Sequence, residues 1–192
     1  MEYFTIDREA FGELEAKGSR FLAHLVPIER FETRLDELRA QHRKANHHVT
    51  ASRRIDALDR LVEQASDDGE PAGTSGRPTL RVLEGAQLVQ AGVIITRYFG
   101  GTKLGTGGLA RAYSGAAAQA IKAAKLRPWQ RLAQAKLHVP VAMTDEIERI
   151  VASAKLAVLS RDFDPDGGVL LIEGPEKTLH GIEWPRGIRT ST

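Results

Sequence analysis

The chain contains no cysteine. That excludes a disulfide framework, a thiolate zinc site and a cysteine nucleophile, and it suits a reducing compartment. Aromatic residues are few, at 6% of 192 residues. No apolar run is long enough to cross a bilayer. The opening MEYFTIDREAF lacks the basic start and apolar run of a secretory signal. The expectation is a cytoplasmic protein without membrane contact. A strong charge of either sign is missing too: 27 Lys and Arg face 25 Asp and Glu, for a net charge of +2. This permits nucleic-acid contact without demanding it. Metal and hydrolase signatures are absent as well. No H-x-x-x-H, H-E-x-x-H or G-x-S-x-G spacing occurs, so no metal site, cofactor or catalytic triad is assigned.

What is present is a hydrophobic fraction of 42%, enough for one ordinary core or two small ones. FGELEA and SRFLAHLVPI read as strands around a Lys17-Gly18 turn. Phe31, Leu35 and Leu38 recur at helical spacing and predict a helix over 30–42. HHVTAS fits a strand, while IDALDRLVEQ fits either a helix or a strand with a loop. A short helix is expected over 77–84 with Pro78 in its first turn. The continuous apolar Val93-Ile94-Ile95 predicts a strand covered on both faces, within 88–99. A helix of about 20 residues follows a glycine-rich loop, its inner face built from Leu109, Ala112, Tyr113, Ala116, Ala120 and Ala124. A boundary after Arg127 divides the chain into 1–127 and 128–192. Beyond it the pattern is strand, helix, strand, strand, with Thr144 as the expected helix cap and Asp164-Pro165-Asp166-Gly167-Gly168 as a hairpin turn. Residues 176–192 show no clear periodicity.

Two segments carry chemistry. In RYFGGTKLGTGGLARAY (97–113), five glycines fall between Gly100 and Gly108, between a buried strand and a long helix. Free amides at a helix N-terminus beside a permissive backbone suit an anion. Arg97, Lys103 and Arg111 supply positive charge, Gly100, Gly101, Gly105, Gly107 and Gly108 let the backbone approach, and Tyr98 and Phe99 offer stacking surface. Residues 105–110 match G-x-G-x-x-A, but no acid lies about 20 residues on to hold a ribose, which excludes a dinucleotide site. Leu104 after Lys103 excludes a Walker A loop. A tight turn that needs glycine only for packing is the plainer reading of the same residues. The second segment is SDDGEPAGTSGRP (66–78). Its Asp67, Asp68 and Glu70, with Thr74 and Arg77, fit three roles: a rigid turn capping backbone amides, a site for magnesium or acid–base work, or internal pairing with the basic residues of the glycine loop. His47 and His48 are adjacent and face opposite sides of a strand, so they cannot chelate together.

These two segments, with KGSRFLAH (17–24) and NHHV (46–49), resemble the signature of the Impact family, also called YigZ-like, over residues 10–125. The resemblance implies an α+β fold. Its first domain is like the second domain of small-ribosomal-subunit protein five, a mixed sheet with two helices on one face. Its second is a ferredoxin-like βαββαβ domain, which in this chain reads as truncated to βαββ. The run VTASRRIDALDRLVEQ departs from the family by lacking aromatic and glycine residues, which predicts an altered strand. The resemblance implies a modulator of translation under stress that binds RNA or the ribosome, as a monomer or weak dimer. A phosphate- or nucleotide-binding enzyme using the glycine loop and a protein-interaction module remain as alternatives.

Overall fold

The computed structural model describes residues 2–164 and 167–191. The chain divides into two compact units, Met1–Trp129 and Gln130–Thr192, two residues beyond the boundary read from the sequence. The first unit runs β1 (Phe4–Thr5), β2 (Ala10–Ala16), β3 (Ser19–Pro27), α1 (Phe31–Gln41), β4 (His47–Ile55), β5 (Leu61–Ser66), α2 (Gly76–Gly85), β6 (Ala91–Tyr98), α3 (Thr106–Ala123) and β7 (Arg127–Pro128). Strands β2-β3-β6-β4-β5 form a five-stranded sheet. All its pairings are antiparallel, so the expected mixed sheet is corrected. Two of the four pairings are hairpins, and β6 enters between β3 and β4 running against both.

The centre of this sheet is covered on both faces. Val93 and Ile95 of β6 join Leu80 and Leu83 of α2 and Tyr113, Ala116 and Ala120 of α3 in one core. Ile94, pointing the other way, packs with Phe31, Leu35 and Leu38 of α1. Continuous apolar sequence in β6 follows from this double burial. Small residues on α3 let it lie close to β2: a Cβ at Gly12 would stand 2.3 Å from the Ala120 amide nitrogen. The β2–β3 turn puts both Lys17 (φ +46°) and Gly18 (φ +79°) in the left-handed region, as a two-residue hairpin demands. The ambiguous segment after the histidines is a second hairpin, β4–β5. Its tip is closed by Asp56, whose carboxylate accepts the Leu58 and Arg60 amides at 2.9 Å.

The second unit runs β8 (Leu132–Val139), α4 (Thr144–Ser153), β9 (Ala157–Asp164), β10 (Gly167–Pro175), α5 (Glu176–Gly181) and β11 (Arg189–Ser191). Its antiparallel sheet has the order β11-β8-β10-β9, which is the complete βαββαβ arrangement. The expected truncation is therefore corrected. Helix α5 has six residues and β11 three, too short to register as periodicity. Tertiary burial holds them instead, with Leu179, Ile182, Trp184 and Ile188 packed on the core of Leu137, Leu170 and Ile172. A second correction concerns α4. A 3₁₀ turn, Val141–Met143, leads into it, so Thr144 is already helical and Met143 is the cap residue, with no side-chain bond. In the expected turn 164–168, Pro165 and Asp166 lie outside the described residues, while Asp164 pairs with Gly167 across the hairpin.

Candidate functional site

Four connections of the first unit gather at one end of its sheet. Strands β2 and β3 turn there, β6 leaves into the glycine loop, β5 leaves into the acidic loop, and β4 enters from α1. The register sets Arg20 opposite Tyr98 and His47 opposite Arg97. Helices α2 and α3 both begin at this end.

The glycine loop is anchored from two sides. The Phe99 amide donates to Asn46 Oδ1 at 2.8 Å and the Gly100 amide to Ser19 Oγ at 3.1 Å. A Cβ at Gly100 would sit 1.9 Å from the Gly18 carbonyl carbon, so only glycine permits this approach. The chain then turns through Gly101 (φ +86°) and Gly105 (φ +71°) into α3. An added Cβ at either position meets nothing within 4 Å, so the loop surface there is open. No side chain caps α3. Its first regular bond is from the Leu109 amide to the Gly105 carbonyl, 2.9 Å, and the Thr106, Gly107 and Gly108 amides precede it. Lys103 and Arg111 are exposed beside them.

The acidic loop is closed by its own carboxylates. Asp67 accepts the Gly73 amide at 2.7 Å, the Ser75 amide at 3.0 Å, the Ser75 hydroxyl at 2.6 Å and the Gly76 amide at 2.8 Å. It thus caps α2 from eight or nine residues away. Partial burial pulls its pKa upward, but the Ser75 hydroxyl and the three amides outweigh that and hold it below the usual carboxylate range. Asp68 accepts the His48 amide at 2.6 Å, and its own carbonyl accepts from His47 Nδ1 at 2.7 Å. Thr74 closes the turn on the Pro71 carbonyl at 2.7 Å. Arg77 stays exposed on α2.

Glu70 goes inward. Its Oε1 accepts from Arg97 Nη1 at 2.5 Å and from the Tyr113 hydroxyl at 2.6 Å, with Glu70 and Arg97 side chains 3% and 7% exposed. His47 Nε2 stands 3.9 Å from the same oxygen. Burial, then the bond to Glu70, pushes the Tyr113 hydroxyl well above the usual tyrosine range, so Tyr113 is a fixed donor and no acid. The Arg97 guanidinium also lies 5.4 Å from the Phe21 ring centre and 5.6 Å from that of Phe99. Phe99 remains 46% exposed. Arg97 is therefore a buried prop beneath an exposed aromatic ring. Tyr98 is half-buried and its hydroxyl is held by His42 Nδ1 at 2.8 Å. His48 is buried on the α1 side, and burial pulls its pKa below the usual histidine value.

Of the residues singled out in the sequence, Lys103, Arg111 and the glycines are together at the surface, with Arg77 at the start of α2. Arg97, Asp67, Asp68, Glu70 and Thr74 form the scaffold behind them. The three carboxylates diverge to three different partners, and among the described residues no three His, Cys, Asp or Glu side chains gather around a cation position. Asn46 and Ser19 act here without having been assigned a role, and Tyr113, expected only on the inner face of α3, also holds Glu70. The motif pieces NHHV, KGSRFLAH and ARAY contain them, but nothing in their residue types alone announces a loop anchor.

The Impact N-terminal domain family matches residues 17–121. An Impact family member of Haemophilus influenzae is 34% identical over 185 residues, covering 94% of this chain and 89% of that protein. The Impact family member YigZ of Escherichia coli is 34% identical over 152 residues, covering 78% and 74%. A crystal structure of a hypothetical protein superposes with a TM-score of 0.65 at 27% identity, covering 93% of this chain and 88% of that one. The acidic loop and the glycine loop both fall inside the matched region, and the chain belongs to the Impact family.

Proposed function

We propose that the protein modulates translation in the cytoplasm by binding RNA, on the ribosome or free, through the loop end of its first unit. One observation carries the reading. Lys17, Arg43, Lys44, Arg77, Lys103 and Arg111 are exposed at or beside these connections with no ion pair to a described residue. The three acids of the acidic loop are occupied by amides, an arginine and a tyrosine. A chain with a net charge of only +2 so presents a locally cationic face. Free amides opening α3 suit a phosphate, and the exposed Phe99 at the start of the same loop suits a base. Arg97 positions Phe99 and contacts no phosphate. A magnesium-dependent phosphate-transferring enzyme is the weaker reading, because the carboxylates it would require are engaged.

Co-sedimentation with ribosomes over a salt series tests this, comparing the wild type with a folded Lys103→Glu/Arg111→Glu variant. The wild type is expected to pellet at low salt and release as salt rises, since phosphate contacts exchange for counterions. The variant is expected to stay in the supernatant. A wild type that neither pellets with ribosomes nor retains free RNA, or a variant that binds equally, overturns the reading.

A further inference from the structure

The second unit holds a cavity that plays no part in the reading above. It has a volume of about 280 Å³ and lies at one end of the sheet β11-β8-β10-β9. Strand register sets its polar lining. Asp162 of β9 lies opposite Val169 of β10, Val169 opposite His138 of β8, and His138 opposite Arg189 of β11. Residues directly opposite across antiparallel strands share a face, so these four make one row, with strands about 5 Å apart. The alternate residues Leu137, Val139 and Leu170 pack with Ile147 and Val151 of α4 and Leu179 of α5. The row therefore lies on the face opposite the helices. Arg189, His138 and Asp162 have no ion pair and no side-chain hydrogen bond to any described residue. Two donors and one acceptor thus line a small cavity with an apolar floor at Val169.

We propose that this cavity binds a small phosphate monoester that also carries hydroxyls or an amine, of the size of a sugar phosphate or a mononucleotide. Arg189 presents a planar fork to phosphate oxygens and His138 a second donor from the neighbouring strand. Asp162, at the far end of the row, accepts from a hydroxyl or amine and disfavours a bare anion. A cavity of this volume is at the small end for ligand pockets, which suits a compact ligand.

The test is titration of the full chain with AMP, ribose 5-phosphate and inorganic phosphate, followed by amide chemical shifts and calorimetry. The two monoesters are expected to bind saturably and inorganic phosphate at least about tenfold more weakly. Arg189→Gln is expected to weaken monoester binding at least about tenfold, because a charge-assisted fork is lost, and Arg189→Lys to recover part of it. Arg189 is exposed on β11, so an unchanged melting temperature should accompany the loss. Lys103→Glu/Arg111→Glu should bind as the wild type does. The absence of saturable binding, or equal binding by Arg189→Gln, overturns the proposal. Loss of binding in Lys103→Glu/Arg111→Glu also overturns it, by assigning the phosphate to the first unit, and leaves the RNA reading standing.

Discussion

At the start of α2, Asp67 reaches back across the loop and accepts from Gly73, Ser75 and Gly76. At the start of α3 no side chain does this, and Gly101 and Gly105 leave the backbone bare. Both helices begin at the same end of one sheet, a few residues after a strand. One loop spends its negative charge on the protein itself, and the other keeps its amides and its cations for something else. Charge in a sequence therefore does not say which charge is offered to a partner. The acidic loop carries three carboxylates and presents little of them, while the glycine loop presents two cations and a positive helix end.

The largest effect should come from breaking the part shared by both loops. Glu70 is on the acidic loop and Arg97 leads into the glycine loop, and their side chains are 3% and 7% exposed. Glu70→Ala leaves the guanidinium buried and unpaired, which should cost about 3–5 kcal/mol. Urea unfolding measures it. Arg97→Met in the same chain should return much of the loss, because removing both charges of a buried pair is far less damaging than removing one. If the double variant is no more stable than Glu70→Ala, the pair does not hold the loops as described.

A smaller effect belongs to the acidic loop alone. Asp67→Ala removes the cap of α2 and should cost about 0.5–2 kcal/mol. The same carboxylate gives a pH signature. Its folded pKa is depressed, by hydrogen bonds that outweigh burial. The stability it contributes is fully present above its ordinary value of about 3.9, and is lost as pH falls through the lower folded value. Melting curves between pH 5 and pH 2 should therefore fall less steeply for Asp67→Ala than for the wild type.

Much of this architecture was legible in the residues. The apolar run at 93–95 marked the central strand, the small-residue stripe from Ala112 to Ala120 marked the helix against it, and Lys17-Gly18 marked the hairpin. The end of the second unit was not, because α5 and β11 are held by contacts with distant strands rather than by local pattern. Arg97 is the instructive case. Beside a glycine loop it reads as a surface cation, yet it shares a sheet face with Val93 and Ile95, both fully buried. Alternation pointed inward, and the partner that makes burial tolerable, Glu70, lies 27 residues away. Internal pairing of the acidic loop with the basic residues of the glycine loop was one of the three roles read from the sequence, and Glu70 with Arg97 fulfils it, but spacing along the chain could not single out which acid meets which cation.

A third prediction turns the open loop into a copy of the closed one. Thr106 is the first residue of α3 and is exposed. Thr106→Asp brings a carboxylate to the uncapped end, where the helix dipole favours it by about 0.3–1 kcal/mol. The protein should become slightly more stable while ribosome co-sedimentation weakens. Stability and binding would then move in opposite directions at one residue. A Thr106→Asp protein that binds unchanged would mean that the α3 amides play no part in binding.

The smallest effect on stability, and the sharpest on function, lies with the two cations. Lys103 and Arg111 are exposed and pair with no described residue, so Lys103→Gln and Arg111→Gln should each change stability by less than about 0.5 kcal/mol. Each lost phosphate contact should reduce the slope of log affinity against log salt by about 0.7 on a single strand and about 0.9 on a duplex. A double variant with unchanged stability and a slope shallower by about 1.4 to 1.8 counts two contacts directly. Arg97→Gln should do the opposite, lowering stability first and changing binding only as Phe99 loses its support. Measured together, the variants separate the residues that touch the partner from those that hold the loop for it, a division that composition alone does not make.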